Sequence, residues 1–120
     1  MRMGHVTIRT EYFDEELKFL KEIVGLHIVV DMRERGSDIV FLADSDGDTR
    51  IEVIKEEGVT VSGNEYISIW FETSDADALR KELIEKGIEA GPIISPAPVV
   101  KFFFLIDPAG VKIQFVAQAD

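Results

Sequence analysis

The chain has no cysteine among its 120 residues. Disulfides, thiolate metal sites and cysteine nucleophiles are therefore excluded. Positive charge is also scarce. Thirteen lysines and arginines face 23 aspartates and glutamates, for a formal net charge of -10. Nucleic acid demands basic patches for its phosphates, and anionic membrane surfaces attract the same groups, so neither is an expected partner. A surface this acidic either simply solvates the chain or accepts a cationic ligand. No run is apolar enough to span a bilayer and no signal peptide opens the chain, so the cytoplasm is the expected location. Hydrophobic residues at 46% and charged residues at 30% describe a folded domain with a core, not a disordered chain.

What is present is a pattern stated twice. Residues 5–10 (HVTIRT) precede a helical stretch that ends at Gly25, and residues 68–73 (SIWFET) precede another that ends at Gly87. The ends match as well. Asp44–Gly47 (DSDG) leads into Thr49–Ile54 (TRIEVI), and Asp107–Gly110 (DPAG) leads into Val111–Val116 (VKIQFV). A repeat of this size is too long for a solenoid unit and too short for a full domain. The reading is one domain, 1–120, built from two modules of about 1–59 and 64–120, with a site where they face each other.

Periodicity places the elements. Val6–Thr10 reads as a strand. Phe13, Leu17, Leu20 and Val24 recur at helical spacing, which predicts a helix over Tyr12–Ile23. Strands follow at Leu26–Asp31, Ile39–Ala43 and Arg50–Lys55, with turns at Gly36-Ser37 and Asp46-Gly47. Glu56–Gly63 reads as the link. The second module has a strand at Ile67–Glu72, then a helix with Ser74 as N-cap and Leu79, Leu83 and Ile84 as its apolar stripe. Three prolines mark Gly91–Val100 as a loop, either a plain connector or a semi-rigid lid. Lys101–Ile106 and Lys112–Ala117 complete a βαβββ order, twice. The acidic run Asp44–Asp48 begins like a calcium loop but has Thr49 and Lys55 where that loop needs glycine and glutamate, so it reads as an acidic turn.

Strand side chains alternate between faces. In the first and last strands of each module, one parity carries Val6, Ile8, Ile51, Val53, Ile69, Phe71, Ile113 and Phe115. That face should pack on the helices. The other parity carries His5, Thr7, Arg9, Arg50, Glu52, Ser68, Trp70, Glu72, Lys112 and Gln114. A bare sheet can meet water this way. The tryptophan in its middle, and basic groups beside carboxylates, favour a polar cavity instead.

These residues resemble the vicinal oxygen chelate superfamily, which includes glyoxalase I, bleomycin- and fosfomycin-resistance proteins, methylmalonyl-CoA epimerase and extradiol dioxygenases. The resemblance spans essentially the whole chain. It implies an α+β fold in which two βαβββ modules form curved mixed sheets around a cup-shaped cavity, with the helices outside. It also implies one metal ligand on the first strand and one on the last strand of each module. Here those positions hold His5, Glu52, Ser68 and Gln114. The family usually has His where Ser68 stands and Glu where Gln114 stands. His5, Glu52 and Gln114 are thus the implied ligands for one divalent metal (Zn, Ni, Mn, Co or Fe), with Ser68 a poor one. A site so depleted is also compatible with no metal.

Two functions follow from the resemblance. One is a metal-dependent lyase or isomerase of glyoxalase type on a small oxygenated substrate, with Glu52 as ligand and general base. The other is a metal-free dimer that sequesters a drug or metabolite. Arg9, Ser68, Trp70 and Glu72 are the candidate substrate-binding residues. Arg9 also reads as a structural ion pair with Glu52 or Glu72, Trp70 as core, Glu52 as a solvated strand carboxylate and His5 as a surface histidine. His27, on another strand, reads as unrelated. A homodimer is expected from the family, with the modules pairing within or between chains.

Overall fold

Strand β1, His5–Thr10, opens the chain in the computed structural model. The structure describes residues 1–44, 49–59 and 66–118. They divide into two units: Met1–Ser62 with Pro108–Gly110, and Gly63–Asp107 with Val111–Asp120. The Asp46-Gly47 turn, most of the acidic run and the end of the link at 60–63 lie outside the described residues.

In the first unit, helix α1 spans Phe13–Lys18. Asp14, Glu15 and Glu16 fill its first turn, where the helix dipole favours negative charge. The sequence predicts one continuous α-helix to Ile23. Instead, Phe19–Val24 widens into π-helical turns. The Leu20 carbonyl accepts the N–H groups of both Gly25 and Leu26. The wider turn leaves Phe19 and Leu20, adjacent in sequence, both buried. Gly25 then ends the element at φ 87°, a conformation that costs a residue with a Cβ.

Strands β2 (His27–Asp31), β3 (Ile39–Ala43) and β4 (Arg50–Lys55) follow, and the sheet order is β1-β4-β3-β2. β1 and β4 are parallel and the other pairs antiparallel. Ile8, Val40, Leu42, Ile51 and Val53 are buried on one face together with Phe13, Leu17 and Leu20 of the helical segment. Asp31 closes β2. Its Oδ1 accepts from the Arg33 backbone N–H at 3.0 Å and from Arg33 Nε at 2.9 Å, and its Oδ2 from Nη2 at 2.7 Å. These bonds hold the Asp31 carboxyl down at about 2. A depressed carboxyl contributes stability above its unfolded pKa and loses it as the pH falls through the folded one. Asp31→Asn is therefore expected to lower the melting temperature at pH 7 and to leave it unchanged below pH 2, a difference that thermal melts at the two pH values would show.

The second unit repeats the plan with β5 (Ile69–Glu72), α2 (Ala76–Glu85), β6 (Ile94–Ala97), β7 (Val100–Ile106) and β8 (Lys112–Gln118). Its order is β5-β8-β7-β6, with β5 and β8 parallel. Both sheets are mixed, neither closes into a barrel among the described residues, and the fold is α+β. The N-cap of α2 is Asp75, not Ser74. Asp75 is extended at φ -149°, and its carboxylate accepts the Ala78 N–H at 3.0 Å. A charged acceptor binds that N–H more strongly than a hydroxyl does. The expected loop Gly91–Val100 contains β6, which pairs at Ile94↔Phe102 and Ala97↔Val100 across an irregularity. Pro96 is accommodated there because an irregular edge strand tolerates a missing N–H. Among the described residues no helix is long and apolar enough to cross a membrane.

The apolar parity of the outer strands is mostly buried, as its pattern predicts. Ile8, Ile51, Val53, Ile113 and Phe115 are buried, Ile69 and Phe71 half-buried, and Val6, next to the strand start, exposed. The opposite faces are less polar than the outer strands imply. Register brings Phe41 onto the face of Glu52, and Phe104 and Phe102 onto the face of Gln114 and Val116. The run Phe102–Phe104 is thereby split, with only Phe103 fully buried.

Candidate functional site

The first unit assembles a small polar cluster on the open face of its sheet. The parallel β1–β4 register sets His5 opposite Arg50, Thr7 opposite Glu52 and Arg9 opposite Ile54. His5 Nε2 lies 3.3 Å from Glu52 Oε1. The Thr7 hydroxyl donates to the same oxygen at 2.7 Å. The His5 ring meets the Phe41 ring edge to face, centroids 5.5 Å apart. The Glu52 side chain is only 15% exposed, against 43% for His5. Glu52 is thus half-buried, with Thr7 and His5 as its neighbours.

Phe41 and Thr7 are the residues the sequence reading missed. Thr7 shares the polar parity of His5 and Arg9 on β1. Phe41 belongs to β3, and its antiparallel pairing with Glu52 is the signal that finds it.

Arg9 pairs within its own unit with Glu56 and not with Glu52. Its Nη1 lies 3.9 Å from Glu56 Oε2, and both side chains are about half exposed. A pair so long and so wet contributes little. His27 lies on β2, at the sheet edge opposite β1, in register with Ala43.

The remaining predicted residues belong to the second unit. Ser68 precedes β5 and is exposed; the strand expected from Ile67 begins at Ile69. Trp70 pairs with Gln114, which pairs with Phe104, giving a row across three strands. Trp70 is 54% exposed, so it is not core. Glu72 is exposed and pairs with Val116. Phe102 meets Phe104 edge to face at 5.6 Å, and Lys112 Nζ stands 4.3 Å over the Phe104 ring. A depression of about 750 Å³ in this unit, walled by Ile84, Ile88 and Phe104, touches none of the predicted site residues.

A metal can be tested against the donors present. Two donors each about 2.1 Å from one cation, at a tetrahedral angle, stand about 3.4 Å apart. The 3.3 Å between His5 Nε2 and Glu52 Oε1 matches that spacing. An imidazole and a carboxylate also suit Zn, Ni, Mn, Co or Fe(II) chemically. The pair fits. No group of three or more His, Cys, Asp and Glu side chains gathers among the described residues.

The comparisons with known proteins agree with this architecture. A family model described as Glyoxalase/Bleomycin resistance protein/Dioxygenase superfamily matches residues 2–115. Among solved structures, a possible glyoxalase from Bacillus cereus is similar with a TM-score of 0.76 at 19% identity, covering 98% of this chain and 99% of that one. TnmS3, an antibiotic binding protein from Streptomyces sp. CB03234, is similar with a TM-score of 0.76 at 18% identity, over 99% and 97% of the two chains. The fosfomycin resistance protein FosX from Mesorhizobium loti gives 0.72 at 16%, over 98% and 92%. At these identities the likeness is one of fold. No curated protein sequence matches the chain.

Proposed function

The chain belongs to the Glyoxalase/Bleomycin resistance protein/Dioxygenase superfamily, and from that membership we propose a metal-assisted lyase or isomerase acting on a small oxygenated substrate. The observation that carries the reading is the half-buried Glu52 carboxylate with His5 Nε2 at 3.3 Å. His5 and Glu52 would hold the cation. When bound, a divalent cation supplies Lewis acidity to a substrate oxygen. The protein's own groups do the rest. Phe41 packs against the His5 ring and limits its rotation. Glu52 is the one carboxylate of the cluster and can accept a substrate proton, which makes it the candidate general base. Arg9 and Arg50 flank the pair on the same face and suit an anionic group of the substrate.

The test is the metal content of the purified protein, followed by titration with Ni, Zn, Mn, Co and Fe(II) of wild type, His5→Ala and Gln114→Ala. Near-stoichiometric metal that His5→Ala abolishes supports the site, and a loss with Gln114→Ala would add its amide oxygen to the donors. Binding indifferent to His5 would sink the mechanism. The same reading includes a homodimer, which light scattering would report as a mass near twice 13.5 kDa.

A second reading has its own observation. Trp70, Gln114 and Phe104 form an aromatic and amide row on an open face, with Trp70 more than half exposed. Such a row suits a planar ligand that stacks and hydrogen-bonds, and one protein of similar fold is an antibiotic binding protein. Trp70 is the chain's one tryptophan, so its fluorescence reports that face alone. Quenching by aromatic or cationic compounds in metal-stripped protein would favour a sequestering role over catalysis.

A further inference from the structure

Glu52 Oε1 is the meeting point of two neighbours. The Thr7 hydroxyl donates to it at 2.7 Å, from directly opposite in the β1–β4 register. His5 Nε2 approaches it at 3.3 Å from one strand position pair away. An ionised carboxylate oxygen carries two lone pairs, so it can accept one hydrogen bond and still face a second group. A glutamate on a strand otherwise turns freely about its terminal torsion, which is broad and roughly two-fold. The Thr7 bond restrains that freedom. Threonine suits the task because its β-branch restricts χ1, so the hydroxyl is aimed before the carboxylate arrives.

We propose that Thr7 is a positioning residue: its hydroxyl locks the Glu52 carboxylate with Oε1 facing His5 Nε2, so that the cation-binding pair is formed in advance of the cation. The inference rests on the reading of His5 and Glu52 as a cation site. Its physical content is separate, because it concerns an orientation that exists in the metal-free protein. Groups that orient a ligand side chain typically change metal affinity about 10–100-fold when removed. Valine keeps threonine's branched shape and deletes only the hydroxyl, so the strand and its packing are preserved. Serine keeps the hydroxyl and loses the methyl.

The experiment titrates wild type, Thr7→Val, Thr7→Ser and Glu52→Gln with Co²⁺, followed by calorimetry and by the cobalt absorption spectrum. A metal-free crystal structure of Thr7→Val accompanies it. The expected result is a loss of Co²⁺ affinity of about 10–100-fold in Thr7→Val, recovery in Thr7→Ser, and a Glu52 carboxylate that has turned away from His5 in the Thr7→Val crystal. Wild-type affinity in Thr7→Val, with affinity lost in Glu52→Gln, would overturn the role of Thr7 and leave the cation site standing. Affinity unchanged in Glu52→Gln would remove the cation site itself. An unmoved Glu52 in the Thr7→Val crystal would refute the orienting role whatever the metal does.

Discussion

Glu52→Gln is expected to cut the affinity for a divalent cation by more than about 100-fold, the upper end of what loss of an orienting partner costs, while the protein stays folded. Glutamine has the length of glutamate, and its amide oxygen can still accept the Thr7 hydroxyl that now sits at 2.7 Å. The substitution removes the negative charge and little else. Charge matters here because Glu52 is only 15% exposed, so water screens its attraction to a cation poorly. Among the described residues no third carboxylate or imidazole is present to compensate. Calorimetric titration with Co²⁺ or Ni²⁺, beside a thermal melt of the metal-free variant, measures both parts. Retained affinity with an intact fold would place any metal elsewhere.

Phe103→Ala should destabilise the protein by about 3–5 kcal/mol, the usual cost of truncating a buried phenylalanine. For a chain of this size that lowers the melting temperature by roughly 10–20 °C. Phe103 is fully buried and lies opposite Phe115 in the β7–β8 register, ring centroids 5.5 Å apart. Phe115 in turn meets Phe71 at 6.1 Å. The alanine would leave a cavity between rings that cannot all collapse into it. Phe102 and Phe104, one residue to either side, are only half-buried on the opposite face. Their alanine variants should cost clearly less. Urea or thermal unfolding of the three variants checks the order. Equal losses at all three positions would contradict the strand's alternation.

Much of the architecture was legible because it is local. Ile39–Ala43 and Arg50–Lys55 are strands at the residues their composition marks. Gly25 and Gly87 stop helices where positive φ is needed. The misreadings were also local in origin. Ser74 and Asp75 are both competent caps, and only the backbone geometry at Asp75 decides between them. Three prolines predict a loop at 91–100, but β7 offers an edge to pair with, and pairing overrides propensity at Ile94–Ala97.

The sequence by itself determined the repeat, the βαβββ order of each module and the parity of each outer strand, while the candidacy of His5 and Glu52 came from the family resemblance. The first three depend on period, turn chemistry and side-chain type, which neighbours in the chain express. Only the tertiary structure decided that Thr7 and Phe41 close around that pair, that Arg9 turns to Glu56, and that Phe102 and Phe104 share a face with Gln114. Those contacts depend on which strand lies beside which and in what register. Thr7 reaches Glu52 across 45 residues of chain. Pairing at that distance is selected by the burial of the whole sheet and leaves no mark on the residues at either end.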